Sequence, residues 1–421
     1  VSRTEPLPPV AAGEDFRPAE GVMARRHVLI VPSWWPSPEA PLAGIFCQEY
    51  ARAFAAAGAR VGVVYPDLVS LRRLRGGVPV PRRPQVTHER LDDLPVVRIR
   101  GLHTALGRPA LHMWRFRRWL ARGLAEYAGR YGRPDLLHAM CAVPAGWAGT
   151  HLRDSLAARV VITEHTGPFA LALRPAAQGD LVRAAVERAA AVVAVSTRLR
   201  EEMHVAGLRR EILVCGNPVA RVFVESPVQP ADAAGGRVRL LFVGRLAEEK
   251  GLRELADAAA ALAAEGRPLE WHFIGDGPLG PELARRFAAL GPAGSAVFHG
   301  VLPPERTAER MRAAAALVLP SHGESFGLAV AEALCSGLPV AVSAATACAE
   351  HVSPADGEVV APRDPAALAA GLRRLLDRLP SLDRRAIAER ARRRFSAGEV
   401  AAWYARLFAG LRGDAAAAER E

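Results

Sequence analysis

The chain has 421 residues, half of them apolar, and 55 Lys plus Arg against 44 Asp plus Glu, for a formal net charge of +11; that length asks for two domains rather than one core. No run approaches the roughly 20 apolar residues that cross a bilayer, the first residues hold no signal core, and Cys47, Cys141, Cys215, Cys335 and Cys348 lack CxxC or CxxH spacing, so a soluble, cytoplasmic chain with reduced thiols and no metal is expected. The basic balance favours anionic partners, but arginine is spread through nearly every segment without a nucleic-acid recognition signature.

Residues 1–24 carry four prolines and little periodicity and are expected to be a disordered lead, with residues 1–22 open to being an upstream extension before Met23. "RHVLIVPSWWPS" then supplies a strand ended by Pro32, and "GIFCQEYARAFAAAGARVGVVYP" a helix over 45–57, a Gly58 stop and a strand over 61–65. The pattern continues with "PDLLHAM" as strand, "AGWAGTHLRDSLAA" as helix, "RVVITEH" as strand, "DLVRAAVERAA" as helix, and "AVVAVST" and "EILVCGNPV" as strands. Such alternation predicts a mostly parallel sheet covered on both faces, a Rossmann-like domain over 25–225.

The Pro, Gly, Ala and Asp of residues 226–237 read as a linker. A second α/β series follows over 238–396: strands "VRLLFVG", "LEWHFIGDG", "AVFHG", "AALVLPS" and "LPVAVS" alternate with helices, the last of them over 326–336. "EVAAWYARLFAGLR" closes the chain as an amphipathic helix within 397–413, with Val400, Trp403, Tyr404 and Leu407 on one stripe.

Ligands of doubly wound sheets bind beyond the carboxyl ends of the strands. "GRLAEEKGL", from Gly244, is such a strand-to-helix loop, and it holds Lys250, the single lysine in the sequence. Arg245 and Lys250 there flank a helix start whose free N–H groups favour an anion, which points to a phosphate or diphosphate. Arginine presents a broad planar fork, whereas lysine is a compact charge on a flexible stem that reaches between phosphates; a site needing the small ammonium explains the one exception to arginine. "PSHGESFGLAVAEALCSGLPV" is a second such junction. If Phe326, Gly327 and Leu328 open its helix, their N–H groups face an anion, Gly327 admits close approach, and Glu324 at the mouth accepts hydrogen bonds from sugar hydroxyls. Glu332, about two turns in, suits a ribose diol.

These paired motifs, with Glu324 and Glu332 eight apart, resemble glycosyltransferase family 4, a retaining family of GT-B fold, over residues 26–412. "PLAGIFCQEYARAFAAAG", "PDLLHAM" and "VVITEHTGPF" resemble its N-terminal segments. The resemblance implies two doubly wound Rossmann-like domains facing across a cleft, an N-terminal acceptor domain and a C-terminal nucleotide-sugar donor domain, with the last helix packing back on the first. It implies that Arg245 and Lys250 neutralise the donor diphosphate, that Glu332 binds the ribose, that Glu324 with the backbone of Ser325, Phe326, Gly327 and Leu328 holds the donor sugar, and that His165 lies beside that sugar. Gly44 would approach the phosphates or acceptor from the opposite domain; Gly244 belongs to the phosphate loop, and Gly275 and Gly277 would wall the base pocket. "CGNPV" and "SAATACAEHV" depart from the family's pattern, so Gly216 and Asn217 receive no ligand contact and the resemblance leaves open the acceptor-side or donor-sugar contacts near Thr346 and Glu350.

The implied reaction is transfer of a sugar from a nucleotide-diphosphate donor, UDP-linked, to a hydroxyl of a glycan, lipid-linked or small natural-product acceptor, with retention and without a cofactor. A cationic pair on the leaving diphosphate makes metal dispensable, and no Asp-x-Asp occurs in the sequence. Three other functions stay open: a nucleotide-sugar 2-epimerase of the same fold, a glycan phosphorylase of the same architecture whose single lysine forms a Schiff base with pyridoxal phosphate and, in a different class, a basic nucleic-acid-binding protein. "LHMWRFRRWLARGLAEY" gathers Met113, Phe116, Leu120, Leu124 and Tyr127 on one face and Arg115, Arg118 and Arg122 on the other. It reads as a core helix with a solvated basic face, the competing reading being weak peripheral contact with a membrane.

Overall fold

The structure, a computed structural model, describes residues 23–418 apart from 38–39, 71–76, 78–79, 82, 104–107, 175, 226 and 229–235. The expected lead up to residue 22 and most of the expected linker therefore lie outside the described residues. Met23–Arg25 already forms a 3-10 turn, with the Met23 side chain buried.

Eight strands form the first sheet: β1 His27–Pro32, β2 Arg60–Ser70, β3 Gln85–Leu91, β4 Leu94–His103, β5 Leu136–Met140, β6 Arg159–Glu164, β7 Ala191–Ala194 and β8 Leu213–Val214. Their order is β3-β4-β2-β1-β5-β6-β7-β8, parallel throughout except where β3 meets β4. Six strands form the second: β9 Val238–Val243, β10 Leu269–Ile274, β11 Gly294–Phe298, β12 Ala316–Leu319, β13 Val340–Ser343 and β14 Gly357–Val360, in the order β11-β10-β9-β12-β13-β14 and parallel throughout. Central strands such as β1, β5 and β12 are buried along their whole length, as continuous apolar runs covered on both faces must be.

One pair of strands goes beyond the expected pattern, and two expectations need correction. An antiparallel hairpin, β3–β4, joins the edge of the first sheet; Asp92 takes φ 53° at its turn, a conformation that Asp tolerates better than most residues. Its partner β2 runs on to Ser70 rather than ending at Tyr65, because pairing with β4 continues to Ser70–His103. The helix expected in "AGWAGTHLRDSLAA" is broken into a π turn over Ala142–Gly146 and helices Trp147–Thr150 and Arg153–Leu156. Pro144 brings no N–H to this stretch, and Gly146 and Gly149 lower its helix propensity.

Strand order reverses at β1 in one sheet and at β9 in the other, and each reversal opens a crevice at the carboxyl ends of the strands. Gly44 lies in the connection after β1, Gly244 to Gly251 in that after β9. The last helix, Ala397–Ala418, crosses back to the first domain. Its Tyr404 and Phe408 pack on Phe54 of helix Ile45–Ala56 at centroid distances of 5.4 and 5.8 Å, and the Tyr404 hydroxyl meets Thr163 Oγ1 at 2.7 Å. Each such ring taken out of water contributes about 1.5–3 kcal/mol, so this helix ties the C-terminal end of the chain to the N-terminal core.

Candidate functional site

After β9 the chain passes Gly244 and Arg245 into a 3-10 turn, Glu248–Lys250, and then Gly251, which caps helix Leu252–Ala264 at φ 66°. Only glycine fits there: besides the left-handed φ, a Cβ would stand 2.1 Å from the Pro320 carbonyl oxygen. This close packing aims Lys250 at the second junction. Its Nζ lies 2.5 Å from Glu324 Oε1, which also accepts from Ser321 Oγ at 2.9 Å; the two charged side chains keep only 19% and 17% of their exposure. Arg245 is 65% exposed and pairs with Glu249 at 2.9 Å. Both cations at this crevice are thus held by carboxylates that a polyanion would have to displace or join. Gly275 and Gly277 pass directly behind the loop, where a Cβ would meet the carbonyl oxygens of Gly244 and Leu246 at 2.0 and 2.4 Å.

The second junction turns at Gly327, φ 81°, which caps helix Leu328–Cys335 without a side-chain bond; a Cβ here would meet Cys348 Sγ at 2.2 Å. The helix therefore opens at Leu328, not at Phe326 as the sequence suggested. Phe326 contributes a buried ring, set against His351 and Phe395 at 4.8 and 5.5 Å, and its carbonyl accepts from His351 Nε2 at 2.9 Å. On the same helix the Glu332 carboxyl is half-buried, with no hydrogen-bond or ion-pair partner among the described residues. Burial pushes it up to about 8, helped by the nearby Glu49 carboxylate of the first domain. A carboxyl that strained lacks a donor, which a ribose diol is built to supply.

Across the seam, Gly44 caps helix Ile45–Ala56 close under the Trp34 carbonyl. His165 follows β6 and is 9% exposed, its ring 4.2 Å from Phe46 and 5.9 Å from Tyr50. Burial, with His138 adding to it, depresses His165 to about 3, so the imidazole is neutral at physiological pH. Neither ring nitrogen has a hydrogen-bond partner among the described residues, and both are buried from solvent, so the ring holds unmet hydrogen-bonding capacity. Glu164 fixes this loop by accepting from the N–H groups of Ala142, His165 and Thr166 at 2.8 to 2.9 Å. Two residues past His165, a Cβ on Gly167 would lie 2.7 Å from Ser325 Cβ. The His165 loop and the Glu324–Leu328 loop are therefore in contact.

The structure thus groups Lys250, Glu324, Ser325 and Gly327 directly, joins Arg245 to them through Glu249, and sets the His165 loop against Ser325. Glu332 lies about one turn into helix Leu328–Cys335, with the Glu49 carboxylate near it. Sequence reasoning passed over Glu49, Glu164, Ser196 and Glu202, and gave Glu350 no role. Only Ser196 carried a local signal, as an N-cap serine before "TRLREEM"; the others matter through contacts distant in sequence.

Two facing parallel-sheet domains with a loop cluster at each switch point define the GT-B class of glycosyltransferase. Residues 43–221 match the family described as "Glycosyltransferase Family 4" and residues 237–378 that described as "Glycosyl transferases group 1". A D-inositol 3-phosphate glycosyltransferase of Thermobispora bispora is 33% identical over 63% of this chain and 68% of its own length. The chain belongs to glycosyltransferase family 4. A 2-deoxystreptamine glucosyltransferase of Streptomyces kanamyceticus is 35% identical, but over 32% of this chain and 35% of its own, so the match spans about a third of that relative. Among solved structures, sucrose-phosphate synthase of Thermosynechococcus elongatus superposes with a TM-score of 0.71 at 22% identity over 92% and 100% of the two chains. Anabaena HepE in complex with UDP does so with 0.66 at 17% over 91% and 99%; at such identities the likeness shows the fold.

Proposed function

We propose that this protein moves a sugar from a nucleoside-diphosphate sugar, UDP-linked, to a hydroxyl of an acceptor, with retention of configuration and without a metal. The observation that carries the reading is the Lys250–Glu324 pair, set between the left-handed glycine turns at Gly251 and Gly327 and facing the His165 loop. Breaking the bond from the anomeric carbon to the diphosphate builds negative charge on the leaving group, and cations held at that position stabilise the charge. Lys250 and Arg245 supply them. As the diphosphate takes up the ammonium, Glu324 is freed from its internal partner to accept hydroxyl hydrogens of the donor sugar, so one exchange prepares both halves of the donor site.

Glu332 takes the ribose diol, Gly244 and the N–H groups from Ser325 to Leu328 approach the phosphates, and Gly275 and Gly277 shape the wall behind the base. His165, being neutral, suits a hydrogen bond to the sugar and is a poor proton acceptor, so the departing phosphate oxygen takes the acceptor proton. HepE, solved with UDP, supports the nucleotide; relatives named for 2-deoxystreptamine and inositol phosphate support a small polyhydroxylated ring as acceptor, bound near Gly44 in the first domain. No helix among the described residues is long and apolar enough to cross a membrane, and we place the reaction in the cytoplasm. The test is UDP release from UDP-sugars in the presence of 2-deoxystreptamine or inositol phosphate. Acceptor-dependent release supports the assignment; epimer formation from donor alone would transfer it to a nucleotide-sugar 2-epimerase. Salt-sensitive DNA affinity with no turnover would transfer it to a nucleic-acid-binding protein.

A further inference from the structure

Three contacts converge on the first turns of helix Thr197–Val205, in the first domain. Ser196, its N-cap, accepts from the Leu199 N–H at 3.0 Å and donates its own Oγ–H to the Ser325 carbonyl at 2.7 Å. Glu350, from the 3-10 segment Ala347–His351 of the second domain, accepts from the N–H groups of Thr197 and Arg198 at 2.9 and 2.6 Å, one carboxylate oxygen to each. One turn on, Glu202 accepts from the Phe169 N–H at 2.8 Å, which anchors the loop leading away from His165. A single helix end thereby holds a loop from each domain.

We propose that Glu350 is a positioning residue, a latch whose carboxylate grips the N-terminus of helix Thr197–Val205 and so sets the closed spacing between His165 and the Glu324–Leu328 loop. The proposal rests on the donor-site reading above. The first N–H groups of any helix lack an intrahelical acceptor, and that end carries partial positive charge, so a carboxylate is the favoured cap. Ser196 already caps this helix from within its own domain; the second cap is supplied by the other domain, and the helix alone does not need it. The grip is solvent-exposed. Parting the domains hands both the carboxylate and the two N–H groups to water at little cost, so the contact biases closure without locking it.

Glu350 is also tied to the loop it positions. Its segment runs from Ala347, whose N–H donates to the Glu324 carbonyl at 3.1 Å, through Cys348, which lies against Gly327. Rotation of the second domain away from the helix would therefore carry Glu324 away from His165 together with Glu350.

The test compares wild type with Glu350→Ala, Glu350→Gln and Ser196→Ala, reading UDP affinity by calorimetry, radius of gyration by solution scattering, and the thermal midpoint. The expected result for Glu350→Ala is a UDP affinity lower by about fivefold, within the usual range of coupling through a conformational equilibrium, a larger radius without ligand, and an almost unmoved midpoint. Glu350→Gln, which keeps an acceptor for one N–H, falls between. Equal affinity and radius in Glu350→Ala and wild type would overturn the latch, as would a fall in midpoint with no change in radius, the signature of a merely structural contact. If wild type fails to bind UDP, the donor-site reading fails, while the radii of the ligand-free proteins still decide the latch.

Discussion

Replacing Glu332 by Gln tests whether the second helix junction holds an unsatisfied carboxyl waiting for a ligand. In the folded protein Glu332 titrates near 8 against an ordinary 4.5, and every tenfold change in proton affinity corresponds to about 1.4 kcal/mol. A raised folded value means that the stabilising balance is fully present below about pH 4.5, declines as the pH climbs, and is gone above about 8. The whole difference corresponds to about 5 kcal/mol; water reaching the half-buried group screens it, and about 2 kcal/mol is a fair expectation. Urea titrations of wild type and Glu332→Gln at pH 5 and pH 9 should therefore show the stability difference moving by about 2 kcal/mol in favour of the variant at the higher pH. Ligand binding gives the same group a second readout. If ribose hydroxyls donate to its ionised form, UDP binding at pH 7 releases about 0.9 proton, measurable by calorimetry in buffers of different ionisation enthalpy. Parallel stabilities across the pH range, with no proton released, would mean that Glu332 is an ordinary solvated carboxylate without a role in holding the ribose.

Three further outcomes follow from particular contacts. Gly327→Ala forces a side chain into a left-handed turn, costing about 1–2 kcal/mol, and onto Cys348 Sγ; the thermal midpoint should fall and UDP affinity with it, whereas Gly398→Ala, which meets no neighbour within 4 Å in the first turn of its helix, should lower neither. His165→Phe keeps a ring against Phe46 and Tyr50 and should unfold at nearly the wild-type temperature while losing most transfer activity; retained activity would remove His165 from the donor sugar. Helix Pro109–Tyr131 buries Met113, Phe116, Trp119, Leu120, Leu124 and Tyr127 in the core and leaves Trp114 as its exposed aromatic, with Arg118 stacked 5.5 Å above it. Its apolar face is already used, so flotation with anionic vesicles should leave the protein in the pellet; co-flotation abolished by Trp114→Ala with Arg118→Glu would establish the membrane contact instead.

How much of this could be read from the sequence depended on whether the signal was local. The strands are short apolar runs between turn residues, and Lys250, Glu324, Gly327 and Glu332 occur in stretches whose spacing alone suggests a strand–loop–helix junction. Those elements and their family were legible. The β3–β4 hairpin was not, since its alternation in "QVTHERLDDLPVVRIR" is interrupted by charged residues, and some of those charges serve an ion network: Arg98 bridges Glu89 and Asp67 at 2.7 and 3.3 Å. Nor could the sequence reveal that Lys250 already holds a carboxylate, because Lys250 and Glu324 are separated by more than seventy residues. Glu350 was set aside as a departure from the family pattern, and its partners at Thr197 and Arg198 are as remote. Carboxylates that act through backbone N–H groups of another domain leave no periodic trace.

In the function proposed above, the crevice after β9 recognises a diphosphate through the ammonium of Lys250. Isothermal titration of UDP and of UMP, into wild type and into Lys250→Ala, measures that directly, since the two nucleotides differ only in the terminal phosphate. In wild type UDP should bind about 100-fold more tightly than UMP, a gap of about 2.7 kcal/mol, and in Lys250→Ala the two should come within about fivefold of each other, with the variant still folded. A preference for UDP that survives the loss of the ammonium undiminished would remove Lys250 from the recognition of the diphosphate.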